Sequence, residues 1–163
     1  MHRIKGEYSD GNCSIRIEGG EPYIILNLEI YHKVNSVGGA HCDFVYITSK
    51  NDESSKNDEF TALVVELKEI NDVTKGNIRE SLQGKFPQTL KLLKEKLMPV
   101  FGLRDKRNIK YCAVLVIPEE VTPTVGALIK RDKMLLGELK NFDKAWITAC
   151  GENVRTPWIP LKE

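Results

Sequence analysis

The chain lacks the marks of several common chemistries. Its four cysteines, Cys13, Cys42, Cys112 and Cys150, lie far apart with no CxxC spacing, which speaks against zinc held by paired thiolates. The three histidines, His2, His32 and His41, are too few and too scattered for a histidine metal cluster. No apolar run approaches the roughly 18 residues of a membrane-spanning helix. The first residues, Met1-His-Arg-Ile-Lys-Gly, have no apolar signal-peptide core. The expectation is a cytoplasmic protein with buried, reduced thiols and no membrane contact. An excess of one charge is missing too: 24 Lys and Arg against 23 Asp and Glu leave a net charge of +1. Any nucleic-acid binding then rests on local patches. No Gly-rich loop is followed by the Lys-Ser/Thr of a phosphate-binding loop; Gly19-Gly20 and Gly38-Gly39 read as hairpin turns. No serine sits in a nucleophile elbow, and no Cys–His pairing has a motif around it.

What is present is an ordinary globular composition, 41% apolar and 29% charged over 163 residues. That length and balance predict one domain, 1–163, with a sizeable core. Its centre is Phe60-Thr-Ala-Leu-Val-Val-Glu66-Leu67-Lys68, a β-branched apolar run that reads as a buried strand. Side chains alternate along a strand, so Glu66 and Lys68 share a face. Charged groups at the end of an apolar strand are costly to desolvate and call for either a salt bridge or a site. Upstream, His41 to Ile47 reads as a second strand with Asp43 at its start. If the two strands form a hairpin, Asp43 comes close to Glu66 and Lys68.

Along the rest of the chain, residues 1–12 read as a frayed start and Cys13–Glu18 as a short strand. Ile24 to Val34 alternates and is assigned as a strand, although Glu29 and Lys33 would equally form an i,i+4 helical pair. Ser49 to Glu59 is a polar hairpin loop. A helix is predicted from about Asn77 to Leu97, kinked or divided by Gly84 and Pro87. Tyr111–Ile117 is a continuous apolar run, expected of a central strand covered on both faces. A helix over Thr124–Leu139, a strand over Ala145–Cys150 and an irregular tail with Pro157, Trp158 and Pro160 complete the reading. The order predicts an α/β fold with a mixed central sheet flanked by helices.

Asp43 and Glu66-Leu67-Lys68 on adjacent strands, followed by a helix and a buried strand, resemble the PD-(D/E)xK nuclease superfamily. The resemblance covers about residues 38–117, with the C-terminal helix, strand and tail (118–163) outside it. It implies a restriction-endonuclease-like fold and hydrolysis of DNA phosphodiesters with Mg²⁺ or Mn²⁺. In that reading Asp43, Glu66 and the Leu67 carbonyl are metal ligands, and Lys68 orients the attacking water. A hard cation needs oxygen ligands, and two nearby carboxylates raise each other's pKa. Cys42 stands where many members carry a proline before the Asp. Many members also have an N-terminal helical glutamate, for which Glu18, Glu21 and Glu29 are the candidates here. A homodimer is expected, because cutting both strands takes two sites.

Blander readings stand beside these. Glu66 and Lys68 alone would equally be a salt bridge, and the domain equally a non-catalytic module that binds nucleic acid or a protein. Gln83 falls where some members place a polar active-site residue, but a surface glutamine is the simpler reading. His41 is a phosphate contact or a structural histidine. Lys91, Lys94, Lys96, Arg104, Lys106 and Arg107 form a backbone-tracking patch or a solvated surface, diluted by Glu95 and Asp105. Trp158 reads as core or interface rather than a stacking platform.

Overall fold

The structure is a computed structural model that describes residues 2–8, 11–17, 24–50, 59–103, 109–150 and 159–162. The architecture is mixed α/β, with a six-stranded mixed sheet flanked by helices and a separate two-stranded hairpin. The hairpin comes first, β1 (His2–Tyr8) pairing antiparallel with β2 (Gly11–Ile17). Within the start expected to be frayed over 1–12, residues 2–8 are thus a strand whose backbone is paired along its whole length.

β3 (Ile24–Asn27) leads directly into α1 (Leu28–Asn35). The strand expected to continue to Val34 stops because Asn27 caps a helix, its side chain accepting the Ile30 N–H at 3.1 Å. The Glu29–Lys33 pair then forms across one turn at 3.5 Å. β4 (Phe44–Lys50) and β5 (Glu59–Leu67) follow as an antiparallel pair. Residues 51–58 of the polar loop lie outside the described residues, as do Gly19 and Gly20.

The long helix divides, as Gly84 and Pro87 suggested. α2 (Lys75–Leu82) ends, Gly84 takes a φ of 76°, and α3 (Lys85–Leu92) begins. Pro87 falls in the first turn of α3, where its missing N–H has no intrahelical partner to lose. A π-helical turn (Leu93–Leu97) and the short α4 (Met98–Val100) end this arm. β6 (Ile109–Pro118) then runs parallel to β5. α5 (Thr122–Arg131) and α6 (Lys133–Glu138) lead to β7 (Lys144–Cys150), parallel to β6. β8 (Ile159–Lys162) closes the sheet antiparallel to β7, with a bulge at Ala145/Trp146. The tail expected to be irregular therefore supplies an edge strand, a position that tolerates Pro160.

The expected single helix over Thr124–Leu139 is two, because Asp132 leaves helical geometry to cap α6 through the Met134 N–H at 3.0 Å. Its carboxylate, 1% exposed, also takes a two-pronged ion pair from Arg79 of α2 at 2.6 and 3.0 Å. That arrangement holds the Asp132 carboxyl down at about 2. Asp132→Ala is expected to lower the melting temperature at neutral pH, with Asp132→Asn in between. The difference from wild type should shrink as acid titrates the carboxylate through its depressed value, which thermal scans down to about pH 2 would show.

The sheet order is β3-β4-β5-β6-β7-β8. Right-handed crossovers that advance in one direction put both helical arms on one face. Ile78, Leu82, Phe86, Leu90, Val125, Ile129 and Leu135 accordingly pack on Val64, Ala113, Leu115 and Ile147. The other face, with Val65, Val114 and Val116, is covered by Cys13 and Ile15 of the hairpin. β6 is therefore buried from both sides, as its unbroken apolar run predicted. Each such buried aliphatic side chain contributes about 1.5–3 kcal/mol.

Candidate active site

β4 and β5 pair with Phe44 opposite Val65. One step further, Asp43 stands opposite Glu66, and its N–H donates to the Val65 carbonyl at 3.0 Å. Directly opposed residues point to the same face. The two carboxyl groups meet there and hydrogen-bond to each other. Asp43 Oδ2 also accepts the Leu67 N–H at 2.8 Å, which fixes the carboxylate against the end of β5. Lys68 follows immediately, its N–H donating to the Val116 carbonyl of β6 at 2.9 Å. Its ammonium is near enough to favour the ionised form of Glu66.

Glu66 is 1% exposed. Burial, reinforced by the negative charge of Asp43, pushes its carboxyl up to about 8 against the counter-pull of Lys85 and Lys68. Near neutrality Glu66 thus keeps its proton. Lys85 was not anticipated. Its Nζ lies 3.5 Å from both Glu66 oxygens, yet Glu66 Oε2 has no hydrogen-bond partner. Gln83, which falls where some members of the superfamily place a polar active-site residue but reads more simply as a surface glutamine, is exposed at the C-terminal end of α2. The available signal was Gly84: a left-handed glycine starts a new helix, and the residue after it is the one aimed at the sheet.

α3 also positions the segment before Asp43. Thr89 Oγ1 accepts the Cys42 N–H at 2.9 Å, and Gln88 Oε1 accepts the Ala40 N–H at 3.1 Å. Gly39, at a φ of 99°, lets Gln88 in, since an added Cβ would meet Gln88 Oε1 at 3.0 Å. His41 has a structural setting. It stacks on His32 with ring centroids 3.9 Å apart, and its Nδ1 is 3.3 Å from the Gly39 carbonyl oxygen.

Of the other anticipated residues, Glu29 is solvent-facing and paired with Lys33; Glu18 and Glu21 lie outside the described residues. Lys91, Lys94 and Lys96 are exposed, and Lys94 Nζ sits 4.8 Å over the Tyr111 ring. Arg104, Asp105, Lys106, Arg107, Pro157 and Trp158 are outside the described residues. Among the described residues, no group of three or more His, Cys, Asp or Glu side chains is placed to hold a metal ion. No helix among them is long and apolar enough to cross a membrane.

No family model, curated protein or solved structure matches the chain.

Proposed function

We propose that Asp43, Glu66, Lys68 and Lys85 form a phosphodiester-hydrolysing centre in a restriction-endonuclease-like fold, acting on DNA with Mg²⁺ or Mn²⁺. One observation carries this reading: two carboxylates from adjacent strands in hydrogen-bond contact, at the end of β5, with two lysines beside them. The strand pattern supports it, since β3 and β4, and β4 and β5, pair antiparallel and β6 is parallel to β5.

The residues fit a hard divalent cation. Glu66 Oε2 is buried without a hydrogen-bond partner, and the Glu66 carboxyl has ligand capacity to give when its proton leaves. Asp43, Glu66 and the Leu67 carbonyl would hold the ion. When bound, the ion supplies charge neutralisation at the phosphate and lowers the pKa of a water. Glu66 must release its proton to serve as a ligand, and Lys85, 3.5 Å from both its oxygens, favours the ionised form. The Leu67 N–H holds Asp43 in one orientation. Lys68 is free to orient the attacking water and to stabilise charge developing on the phosphate, because its backbone, not its ammonium, is tied to β6.

The absence of a third protein carboxylate among the described residues favours one alternative, a non-catalytic module of the same fold that binds nucleic acid or a protein. Nicking of supercoiled plasmid separates the two. Mg²⁺- or Mn²⁺-dependent nicking is expected, reduced at least about 1,000-fold in Asp43→Ala and Lys68→Ala. No nicking, with a melting temperature indifferent to either metal, would leave the binding module. Sedimentation of the active protein with a DNA duplex tests for the homodimer that cutting both strands requires.

A further inference from the structure

The sheet face opposite the carboxyl pair carries a second chemical grouping. β2 of the hairpin lies against β6 and β7 and brings Cys13 to their surface. Cys150, the last residue of β7, points to the same face, two residues beyond Thr148, which pairs with Val116. The single S–H of Cys13 is within reach of both the Cys150 sulfur and the Val116 carbonyl oxygen, the latter at 3.6 Å, and serves one acceptor at a time. Both thiols are reduced in this structure. They differ in access, Cys13 being 2% exposed and Cys150 half-buried.

We propose that Cys13 and Cys150 form a reversible disulfide that staples the N-terminal hairpin to β7. The two thiols have distinct roles. Cys150 is the accessible partner, and the hydrogen bond from Cys13 lowers its pKa, which favours the thiolate. Cys13 is held as the thiol by that same hydrogen bond and by burial, so it reacts second. With a small-molecule disulfide such as oxidised glutathione, the Cys150 thiolate attacks one sulfur and expels one glutathione thiolate, leaving a mixed disulfide. Cys13 then loses its proton and attacks Cys150 Sγ, expelling the second glutathione thiolate. One disulfide bond breaks and one forms; two protein thiols are oxidised and one glutathione disulfide is reduced to two thiols. The other two cysteines have no such partner set: Cys42 and Cys112 are buried, on opposite faces of the sheet.

The staple also reaches the carboxyl site through one atom. The Val116 carbonyl that Cys13 contacts is the one that accepts the Lys68 N–H at 2.9 Å. Converting Cys13 to a disulfide removes the S–H from beside that oxygen, while the Lys68 N–H still donates to it.

The test uses the full chain incubated with oxidised glutathione at neutral pH, quenched by alkylation and mapped by peptide mass spectrometry without reduction. The expected product is a linked peptide pair containing Cys13 and Cys150, lighter by two hydrogens, with a melting temperature raised by about 5–15 °C. Dithiothreitol should reverse both changes. In Cys13→Ser the glutathione should stay on Cys150, and in Cys150→Ser no adduct should form. A wild-type protein that keeps a stable glutathione adduct on Cys150, stays unmodified or links other cysteines overturns the proposal. That comparison needs only the wild type, so a poorly folded variant does not blunt it.

Discussion

Replacing Glu66 with glutamine is expected to abolish a loss of stability that the wild type suffers between about pH 5 and about pH 9. The folded value of about 8 lies above the unfolded value of 4.5. Through that window the native state holds a proton that the unfolded chain has lost, so stability falls as pH rises. The contribution is intact in acid below the unfolded value and gone once the pH has passed the folded value. A shift of that size is worth about 5 kcal/mol. Glutamine keeps the shape and the hydrogen-bonding capacity but has nothing to titrate. Urea unfolding at both ends of the range is the measurement. Wild type and Glu66→Gln should diverge at alkaline pH, the variant becoming the more stable, while its cleavage of plasmid is lost. Parallel pH profiles would show that Glu66 titrates normally and would remove the electrostatic basis of the site. Mg²⁺ should flatten the wild-type profile alone, because a bound cation favours the ionised carboxylate that alkaline pH otherwise penalises.

The second large effect is expected from Lys85→Ala. Lys85 is the cation nearest to Glu66, and without it the carboxyl is pushed further up, since burial and Asp43 act unopposed except by Lys68. Cleavage at neutral pH should drop about 100-fold. The acid limb of the pH–rate profile should move to higher pH, so that activity recovers in part under alkaline conditions. Lys68→Ala should lower the rate across the whole range with a smaller displacement, because Lys68 acts on water and phosphate and pulls on Glu66 less than Lys85 does. If the two variants give superimposable profiles, Lys85 is not the group that tunes Glu66.

The parts of this chain that were legible in the sequence are those where pattern and burial agree. β5 and β6 are apolar and β-branched over their length, and period-two alternation sufficed to place Asp43 and Glu66 together once a hairpin was assumed. Where the sequence misled, a single side chain decided against the pattern. Asn27 turned an alternating strand into a helix by offering one hydrogen bond to Ile30, and Asp132 broke a helix to reach Arg79 and Met134. β1 and β8 were missed for another reason. Both depend on a partner strand, and neither a polar segment nor one holding a proline announces that partner locally. Lys85 was missed because its approach to Glu66 follows from the left-handed turn at Gly84 and from the docking of α3 on β5, a tertiary relation with no local spacing. Gln83, two residues earlier, has the expected chemistry but faces solvent.

The two borders of the six-stranded sheet bear on how copies of this protein can associate. β3 offers a bordering strand of only four residues before Asn27 diverts the chain into α1. β8 is also four residues long, and Pro160 removes one of its donors, beside the bulge in its pairing with β7. Among the described residues, neither border offers the long, flat row of donors and acceptors that strand addition from a second chain needs. A dimer of this protein is therefore expected to meet through side chains on helices or loops, not by continuing one sheet into another.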